Sequence, residues 1–440
     1  MMSKTWTLQF LARRVWPMKK PKIGIFLSRK AGPGGSTKSI MALVAHWAKR
    51  FSVTLISQVP TDWAKLQRFF EINLSQVNLV QLRPLPSPLP SRLAHRYRQV
   101  KPLFHVATQY HYIQQMRALQ LDLFVNHTPD ITIPPLAKRS LYLCTFPECS
   151  PARAAPSAQA TLREKLRMYS KQWLKYTLNG SKSNDVLAEY DVIAANSYFT
   201  QHWIQQRWSL PATVVYPPCE LIGAGQAKEK IICHVGRFEA DYPLVSVHKH
   251  QVTLLELFKR LPDLHQAGWQ LHLAGGLQDA PRDRAFVQQV RDAVQNFPVI
   301  LHCDASTADL HQLYRSASLY WHASGYGVDA QLHPQTQEHF GITTVEAMSA
   351  GAVPVVLNTG GQAEIVTHGV NGFVWQQLTE LATYTRQLAQ NENLRAALSQ
   401  QAVASSQQFD TANFLAHIDV IVDQLLADQL DKHKLMSLRR

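Results

Sequence analysis

The chain has 440 residues, 46% hydrophobic and 17% charged, so it is too long for one ordinary domain and too apolar for an intrinsically disordered protein. No apolar run reaches the roughly 18–20 residues of a membrane-spanning helix, and we predict none. Residues 1–215 contain 29 basic and 9 acidic residues, a net charge of +20, whereas 216–440 contain 16 and 22, a net −6. This asymmetry indicates an anionic partner for the first half, such as nucleic acid, a membrane surface or a phosphorylated acceptor; a basic surface that serves only solubility is the alternative.

Residues 1–21 form a leader in which aromatic and basic side chains are mixed. Trp6 and Trp16 flank Arg13 and Arg14, a combination that suits the interface of an anionic bilayer. The two arginines interrupt the apolar stretch and no small-residue cleavage site follows, so the leader is a poor signal peptide. Its apolar residues do not form one clean helical face, and a leader without a membrane role is the alternative.

Residues 22–215 are predicted to form a first α/β domain. A strand at 22–28, a glycine-rich turn at 31–36, a helix at 39–49 and a strand at 52–57 follow one another, as in doubly wound parallel sheets. The stretches 76–117 and 158–173 are interpreted as insertions or helices that carry much of the positive charge. Further strands are predicted at 121–125, 140–143, 192–195 and 213–216.

Residues 231–410 are predicted to form a second α/β domain. A linker at 216–230, rich in proline and glycine, separates the two domains at the point where the charge changes sign. Two such domains would face each other across a cleft, a usual place for ligands. In the C-terminal segment, 411–440, a helix is predicted at 414–435. One hypothesis is that this helix packs on the first domain. The second domain's predicted elements are strands at 231–235, 270–274, 299–302, 319–322 and 353–357 and a helix at 252–261.

The five cysteines are scattered along the chain, and no two of them form a Cys-x-x-Cys pair. Neither a disulfide framework nor a structural zinc site is therefore favoured, and a cytosolic location fits best. We predict no metal site and no cofactor.

The glycine-rich turn, Gly32-Pro-Gly-Gly-Ser-Thr-Lys38, superficially resembles a phosphate-binding loop. Thr37 stands where a Walker A motif needs glycine before the lysine, and the dinucleotide spacing G-x-G-x-x-G is also missing. ATPase and NAD-dependent functions are therefore not supported. Gly34 and Gly35 would still allow a ligand to approach the backbone closely, although a tight turn without any ligand explains them equally well.

Two cations follow the first strand of the second domain. Arg237 comes directly after Gly236 at the predicted carboxyl edge of the sheet, and Lys249 is expected to open the next helix. An arginine and a lysine fixed at one edge of a cleft suit a diphosphate. The alternative is that both are ordinary surface residues.

The segment that begins at Glu338 carries the strongest signal. Glu338 and Glu346, with seven residues between them, flank a loop at 340–342 and a helix that Thr343 is expected to cap. Backbone N–H groups at the start of that helix would face a phosphate. Glu346, expected in the first turn, would accept hydrogen bonds from ribose, and Glu338 would hold sugar hydroxyls. The pattern Thr343-x-x-Glu346 is also a capping box, which needs no ligand.

With these motifs the chain resembles the retaining glycosyltransferases of family 4, which have the two-domain GT-B fold. The resemblance covers residues 22–410 and is most specific in the second half. It implies that the C-terminal domain binds a nucleotide-sugar donor, that the N-terminal domain binds the acceptor, and that no metal takes part. The matching residues are Gly236-Arg237 with Lys249, Glu338 with Glu346, and Gly360-Gly361 through Glu364 to Gly372, with looser matches at 190–197 and 215–218.

The resemblance also implies roles for these residues. Arg237 and Lys249 would stabilise the diphosphate leaving group, Glu338 would contact the transferred sugar, and Glu346 would bind ribose. His127, after the strand at 121–125, would orient the sugar or the acceptor rather than act as a base, with a structural histidine as the alternative. The remaining donor-binding residues would be Phe340, Gly341, Ile342, Thr343, Gly34 and Gly35.

One segment departs from the pattern of many relatives. The stretch 321–337 before Glu338 is long, and with its Glu-His-Phe-Gly continuation it resembles a subset of lipid-linked oligosaccharide and cell-surface polysaccharide transferases. Asp329 and His333 in this stretch would either touch the donor or shape the loop.

The leading hypothesis is therefore a retaining hexosyltransferase that acts on a lipid-linked or polysaccharide acceptor, peripheral on the cytoplasmic face of a membrane. A sugar-nucleotide epimerase or a soluble glycan synthase on the same fold is the second hypothesis. The third is a nucleic-acid-binding protein that uses the basic half, but this would leave the Glu338/Glu346 and Arg237/Lys249 pairs without a role.

We expect the leader to strengthen binding to anionic membranes. Each Lys or Arg near anionic lipid contributes about 1 kcal/mol, so replacing Arg13, Arg14, Lys19 and Lys20 by glutamine should weaken binding to phosphatidylserine vesicles by about tenfold or more. Vesicle sedimentation at low and high salt measures this, and neutralising four cations of the acidic second half is the matched control. Equal sedimentation of the two variants would remove the leader's membrane role.

Overall fold

The computed structural model describes residues 20–27, 34–85, 107–128, 133–147, 186–225, 227–240, 248–278 and 280–427. Of the predicted segments, residues 1–19 of the leader, residues 31–33 of the glycine-rich turn, residues 86–106 of the stretch 76–117, the stretch 158–173 and the part of the last helix beyond 427 lie outside the described residues.

The first domain is built on a seven-stranded sheet in the order β3-β2-β1-β4-β5-β6-β7, and every described pairing is parallel. Strand order reverses between β1 and β4, so a crevice opens at their carboxyl ends, where α/β proteins bind ligands. The strands are β1 (Lys22–Leu27), β2 (Ser52–Ser57), β3 (Asn78–Gln81), β4 (Leu123–Asn126), β5 (Arg139–Cys144), β6 (Val192–Ala195) and β7 (Thr213–Val214). The helices are α1 (Gly35–Trp47), α2 (Trp63–Phe70), α3 (107–117) and α4 (Tyr198–Trp208), with a 3₁₀ turn at Val186–Glu189.

The second domain repeats the plan with six parallel strands in the order β10-β9-β8-β11-β12-β13, and its switch point lies between β8 and β11. Two doubly wound sheets confirm the predicted fold class. The strands are β8 (Glu229–Val235), β9 (Gln270–Gly275), β10 (Val299–Cys303), β11 (Ala317–His322), β12 (Val353–Leu357) and β13 (Phe373–Trp375). The helices are α5 (Gln251–Lys259), α6 (Pro262–Gln266), α7 (Pro281–Ala293), α8 (Thr307–Ser316), α9 (Ile342–Ser349), α10 (Gln362–Ile365), α11 (Leu378–Gln390) and α12 (Glu392–Ser406), with 3₁₀ turns at Pro334–Thr336 and Gln407–Phe409.

The buried strands agree with the sequence patterns because a strand covered on both faces is a continuous apolar run. Strands β2, β6 and β12 have the predicted bounds. The interpretation of 76–117 as insertions or helices is wrong at β3, an edge strand of four residues. Three of its four residues, Asn78, Leu79 and Gln81, are exposed, so β3 has no buried apolar run to mark it.

The last helix, α13 (Thr411–Leu426), packs on the first domain rather than on the second. Phe414, Ile418 and Val422 are buried in the same core as Ile40 and Val44 of α1. The chain therefore crosses between the domains twice, and the crossings lie side by side because the Cys219 N–H donates to the Phe409 carbonyl at 3.0 Å.

Asp419 anchors α13 to α1 through three hydrogen bonds. Its carboxylate accepts from the indole N–H of Trp47 at 2.9 Å and from Arg50 at 2.7 Å, and it lies 2.7 Å from His46 Nε2. Trp47 is fully buried, so its N–H depends on this partner.

Asp419→Ala should lower the free energy of unfolding by about 2 kcal/mol, because it leaves the Trp47 N–H unpaired in the core. Asp423→Ala is the matched control: the Asp423 carboxylate accepts from Arg50 at 2.7 Å and is 37% exposed, so we expect about 0.5 kcal/mol. Urea denaturation followed by tryptophan fluorescence measures both. A loss for Asp419→Ala no larger than the loss for the control would contradict the anchoring role.

Candidate active site

Lys249 and Glu338 form an ion pair at the carboxyl end of the second sheet. Lys249 Nζ lies 2.5 Å from Glu338 Oε2, each side chain is 19% exposed, and His322 Nε2 at the end of β11 is 3.4 Å from the same oxygen. Burial raises the pKa of Glu338, but Lys249 and His322 lower it by more, so the pKa lies well below its ordinary value. The pair is therefore a fixed anion beside a fixed cation.

Gly236 allows Lys249 to reach this position. A Cβ at Gly236 would lie 2.8 Å from Lys249 Cγ, so a side chain there would displace the lysine. Lys249 does not open α5, contrary to the prediction: the helix begins at Gln251, and His250 precedes it with a left-handed φ of 55°. Because Lys249 lies in the loop rather than in the helix, its side chain can extend over the end of β8.

Arg237 lies next to Gly236 but outside the Lys249–Glu338 pair. Its guanidinium is 3.2 Å from Glu239 Oε2, and 59% of the side chain is exposed. A ligand in the cleft would therefore reach it without displacing a buried contact.

Helix α9 starts earlier than predicted. Gly341, with a φ of 118° that favours glycine, precedes the first helical residue, Ile342, and the first turn has neither a side-chain cap nor an acidic residue. The expected cap at Thr343 is wrong, because its hydroxyl is 2.8 Å from the Tyr320 hydroxyl. Glu346 is the fifth helical residue and not in the first turn, so the capping-box explanation fails and the first N–H groups of α9 remain available to an anion.

The carboxylate of Glu346 pairs with a cation from the other domain. Lys38, in the first turn of α1, places Nζ 2.9 Å from Glu346 Oε1 and 3.2 Å from Glu220 Oε2 in the linker. Burial lowers the pKa of Lys38, but the two carboxylates raise it by more, so the net shift is upward and the lysine stays charged. The sequence analysis considered Lys38 only as the lysine of a phosphate-binding loop. Its position in the first turn of the helix is the feature that could have indicated a role at the cleft.

Gly35, the first residue of α1, faces the loop at 340–342 across the cleft. A Cβ at Gly35 would lie 2.6 Å from Ile342 Cδ1, so the two domains approach closely here and a side chain at Gly35 would displace the end of Ile342. A Cβ at Gly34 would meet no atom within 4 Å, which leaves open space beside the backbone. The structure therefore brings Gly35 close to the loop at 340–342, in which Phe340 is buried.

His127 lies beside this turn and contacts Ser36, which sequence reasoning missed. Its Nδ1 is 3.3 Å from the Leu143 carbonyl, which can only accept, so Nδ1 carries the proton and Nε2 accepts from the Ser36 hydroxyl at 2.7 Å. Burial lowers the pKa of His127 to about 4, so the imidazole is neutral at pH 7. A neutral ring held on both nitrogens suits a positioning role better than that of a base.

Glu364 fixes the second domain against the first. Its carboxylate accepts the backbone N–H groups of Tyr198 at 2.9 Å and Phe199 at 2.6 Å, at the start of α4. The Ser197 hydroxyl donates to the His339 carbonyl at 2.6 Å. The loop that carries Glu338 is therefore held by the first domain, a role that the motif Gly360-Gly361 through Glu364 did not reveal.

The long stretch before Glu338 is shaped by Asp329. Its carboxylate accepts the backbone N–H groups of Gln331 at 2.7 Å and Leu332 at 3.1 Å, and its carbonyl accepts from the N–H of His333 at 2.9 Å. Of the two roles considered for Asp329, these contacts favour shaping the loop.

Within the described part of the chain, no group of three or more His, Cys, Asp or Glu side chains is arranged to hold a metal ion. The same residues contain no helix with the length and hydropathy needed to cross a bilayer. Cys219, Cys233 and Cys303 are free thiols.

Breaking the Lys249–Glu338 pair should be costly. Lys249→Met should lower the free energy of unfolding by about 3 kcal/mol, because it leaves a largely buried carboxylate without its cation, and the double variant with Glu338→Gln should lose less than the sum of the two single losses. Because the pKa of Glu338 in the folded protein lies below its ordinary value of 4.5, the stabilisation is present above that pH and is lost as the pH falls towards the folded-state pKa.

Lys259→Met is the matched control. Lys259 pairs with Glu256 at 2.8 Å, but Glu256 is 47% exposed, so we expect a loss of less than about 1 kcal/mol. Denaturation of the unmodified protein, the two single variants, the double variant and Lys259→Met at pH 7 and pH 4 measures the coupling, and additive losses for Lys249→Met and Glu338→Gln would refute it.

Comparison with known proteins supports the resemblance found in the sequence. Residues 223–404 match the family model of glycosyl transferases group 1. A GDP-Man:Man(3)GlcNAc(2)-PP-Dol alpha-1,2-mannosyltransferase of Dictyostelium discoideum is 27% identical over 268 residues, which are 55% of this chain and 50% of that protein. An uncharacterized glycosyltransferase of Methanocaldococcus jannaschii is 31% identical over 150 residues, or 34% of this chain and 32% of that one.

Solved structures resemble the chain over nearly its whole length. Alr3699/HepE of Anabaena, in complex with UDP, has a TM-score of 0.61 at 18% identity, covering 92% of this chain and 100% of that one. TarM has a TM-score of 0.62 at 10% identity, covering 93% and 99%. These likenesses show the two-domain GT-B fold. The chain spans about half the length of the curated mannosyltransferase it matches. Residues 223–404 are therefore similar to the group 1 glycosyl transferases, and the fold of the chain is the two-domain GT-B fold.

Proposed function

We propose that the protein is a retaining glycosyltransferase that moves a hexose from a nucleotide-diphosphate sugar to a lipid-linked or polysaccharide acceptor. One observation supports this most strongly: Lys249, paired with Glu338, and the uncapped start of α9 both lie at the carboxyl end of the sheet in the group 1 domain. A cation and free N–H groups at a sheet edge suit a diphosphate, and a carboxylate beside them suits sugar hydroxyls.

The departing diphosphate gains negative charge as the glycosidic bond to it breaks. Lys249, Arg237 and the N–H groups of α9 would face that charge from positions fixed by the fold, so little reorganisation would be needed in the transition state. One oxygen of Glu338 is bound by Lys249 and approached by His322, which leaves the other oxygen to accept from the sugar. Glu346 would accept from the ribose hydroxyls.

The first domain would supply the acceptor side. His127 has a pKa of about 4 and is a weak proton acceptor at pH 7, so it would orient the sugar or the acceptor through Ser36 rather than deprotonate it. The acceptor's proton would then pass to the leaving diphosphate, on the same face of the sugar. Such a front-side reaction retains the anomeric configuration.

The acceptor class rests on two supports. The curated relatives are named for transfer from GDP-Man to a dolichol-linked oligosaccharide. The first half of this chain, with a net charge of +20, would attract an anionic membrane surface. A soluble glycan synthase on the same fold has one support, the structural likeness to sucrose-phosphate synthase of Thermosynechococcus elongatus, with a TM-score of 0.60 at 14% identity.

Glu346→Gln should weaken the binding of a nucleoside diphosphate by about tenfold or more, because hydrogen bonds to a charged acceptor contribute about 1.5–3 kcal/mol. Isothermal titration with UDP, GDP and ADP measures this, and Lys259→Met is the control that should bind as the unmodified protein does. Adding EDTA should leave the affinity unchanged, because Arg237 and Lys249 supply the positive charge. If no diphosphate binds, or if Glu346→Gln binds equally well, the donor site is wrongly placed.

Transfer itself is tested with radiolabelled UDP-glucose and GDP-mannose in the presence of polyprenyl-diphosphate oligosaccharides. We expect label in the lipid fraction, and proton NMR of the product should show the anomeric configuration of the donor. Conversion of the donor into another nucleotide sugar would support the epimerase hypothesis instead.

A further inference from the structure

Lys38 connects the first domain to the carboxylate that is proposed to bind ribose. It lies in the first turn of α1, three residues after Gly35, whose backbone lies against Ile342 at the start of α9. Its Nζ is 2.9 Å from Glu346 Oε1, and the Lys38 side chain is 26% exposed. No motif in the sequence connects Lys38 with Glu346, which lies 308 residues further along the chain.

The carboxylate of Glu346 needs a cation in this position. Its side chain is only 12% exposed, and removing a carboxylate from water is costly unless a charge or hydrogen bonds compensate. Lys38 binds Oε1, so Oε2 can accept from ribose hydroxyls while the lysine stays in place. The lysine thus fixes the orientation of the acceptor that the ribose would use.

Lys38 is poorly suited to bind the phosphates directly. It is shared between Glu346 and Glu220, at 2.9 and 3.2 Å, so the three groups together carry one negative charge. A phosphate at Nζ would meet two carboxylates as well as the cation, and it would be repelled. A P-loop lysine, in contrast, acts as a free point charge towards its phosphate.

We infer that Lys38 is a positioning residue for ribose recognition, through which the first domain orients the Glu346 carboxylate of the second. This inference rests on the proposed function, since it needs a nucleotide at the start of α9. It adds a condition to that function: the ribose is fully recognised only when α1 is docked against α9, because the lysine that orients Glu346 comes from the opposite side of the cleft.

The test compares UDP and GDP with their 2′,3′-dideoxy analogues, which lack both ribose hydroxyls. In the unmodified protein, the diphosphate that binds should lose about tenfold or more in affinity when the hydroxyls are removed. Lys38→Met should bind the natural diphosphate about tenfold more weakly, and its preference over the dideoxy analogue should shrink to about twofold or less. Lys38→Arg, which keeps the charge, should recover most of the preference.

Two further variants make the result specific. Lys259→Met, which removes a lysine from a surface ion pair far along the chain, should keep the full preference, and so should Glu220→Gln, which leaves the Lys38–Glu346 contact intact. If Lys38→Met does not fold, as judged by circular dichroism, Lys38→Gln gives the same comparison with an uncharged side chain.

The outcomes separate the two proposals. A full preference for the natural diphosphate in Lys38→Met, or tighter binding by that variant, would overturn the role of Lys38 while leaving the donor site in place. Failure of the unmodified protein to bind UDP or GDP would overturn the proposed function together with this inference.

Discussion

The cost of burying carboxylates at a sheet edge is the constraint on which this cleft depends. Glu338 and Glu346 are each less than one fifth exposed, and a carboxylate so placed is tolerated only beside a cation or hydrogen-bond donors. Each has a lysine within 3 Å, but the two lysines come from different parts of the fold. Lys249 belongs to the same domain as its partner, whereas Lys38 reaches across from the opposite domain. One pair therefore lies within the second domain itself, and the other exists only where the two domains meet.

Close backbone contacts hold these charges in register. Gly236 lets Lys249 cross the end of β8, and a Cβ at Gly360 would lie 2.2 Å from the Glu338 carbonyl oxygen, so the turn at 360–361 packs directly on the loop that carries Glu338. Glu364 then ties that turn to the start of α4 in the first domain. The result is a rigid framework around a polar cleft, which is what electrostatic stabilisation of a departing diphosphate requires.

The sequence predicted what depends on local pattern. Apolar runs located most strands of both sheets, and the rule that open α/β sheets bind ligands at the carboxyl ends of their strands pointed to the edge of the second sheet that Arg237 follows. The start of α9 was misjudged because Thr343-x-x-Glu346 imitates a capping box, whereas the left-handed turn at Gly341 lets the helix begin earlier. Lys38, Ser36 and the contacts of Glu364 escaped prediction because each depends on a partner far away in the chain, and no spacing within one segment records such a pairing.

A crystal structure of the protein with bound UDP or GDP tests the account most directly. The account predicts the diphosphate at the start of α9, within hydrogen-bonding distance of Lys249 and Arg237, and the ribose hydroxyls on Glu346 while Lys38 still contacts that carboxylate. A nucleotide bound elsewhere, or one whose ribose lies away from Glu346, would contradict it.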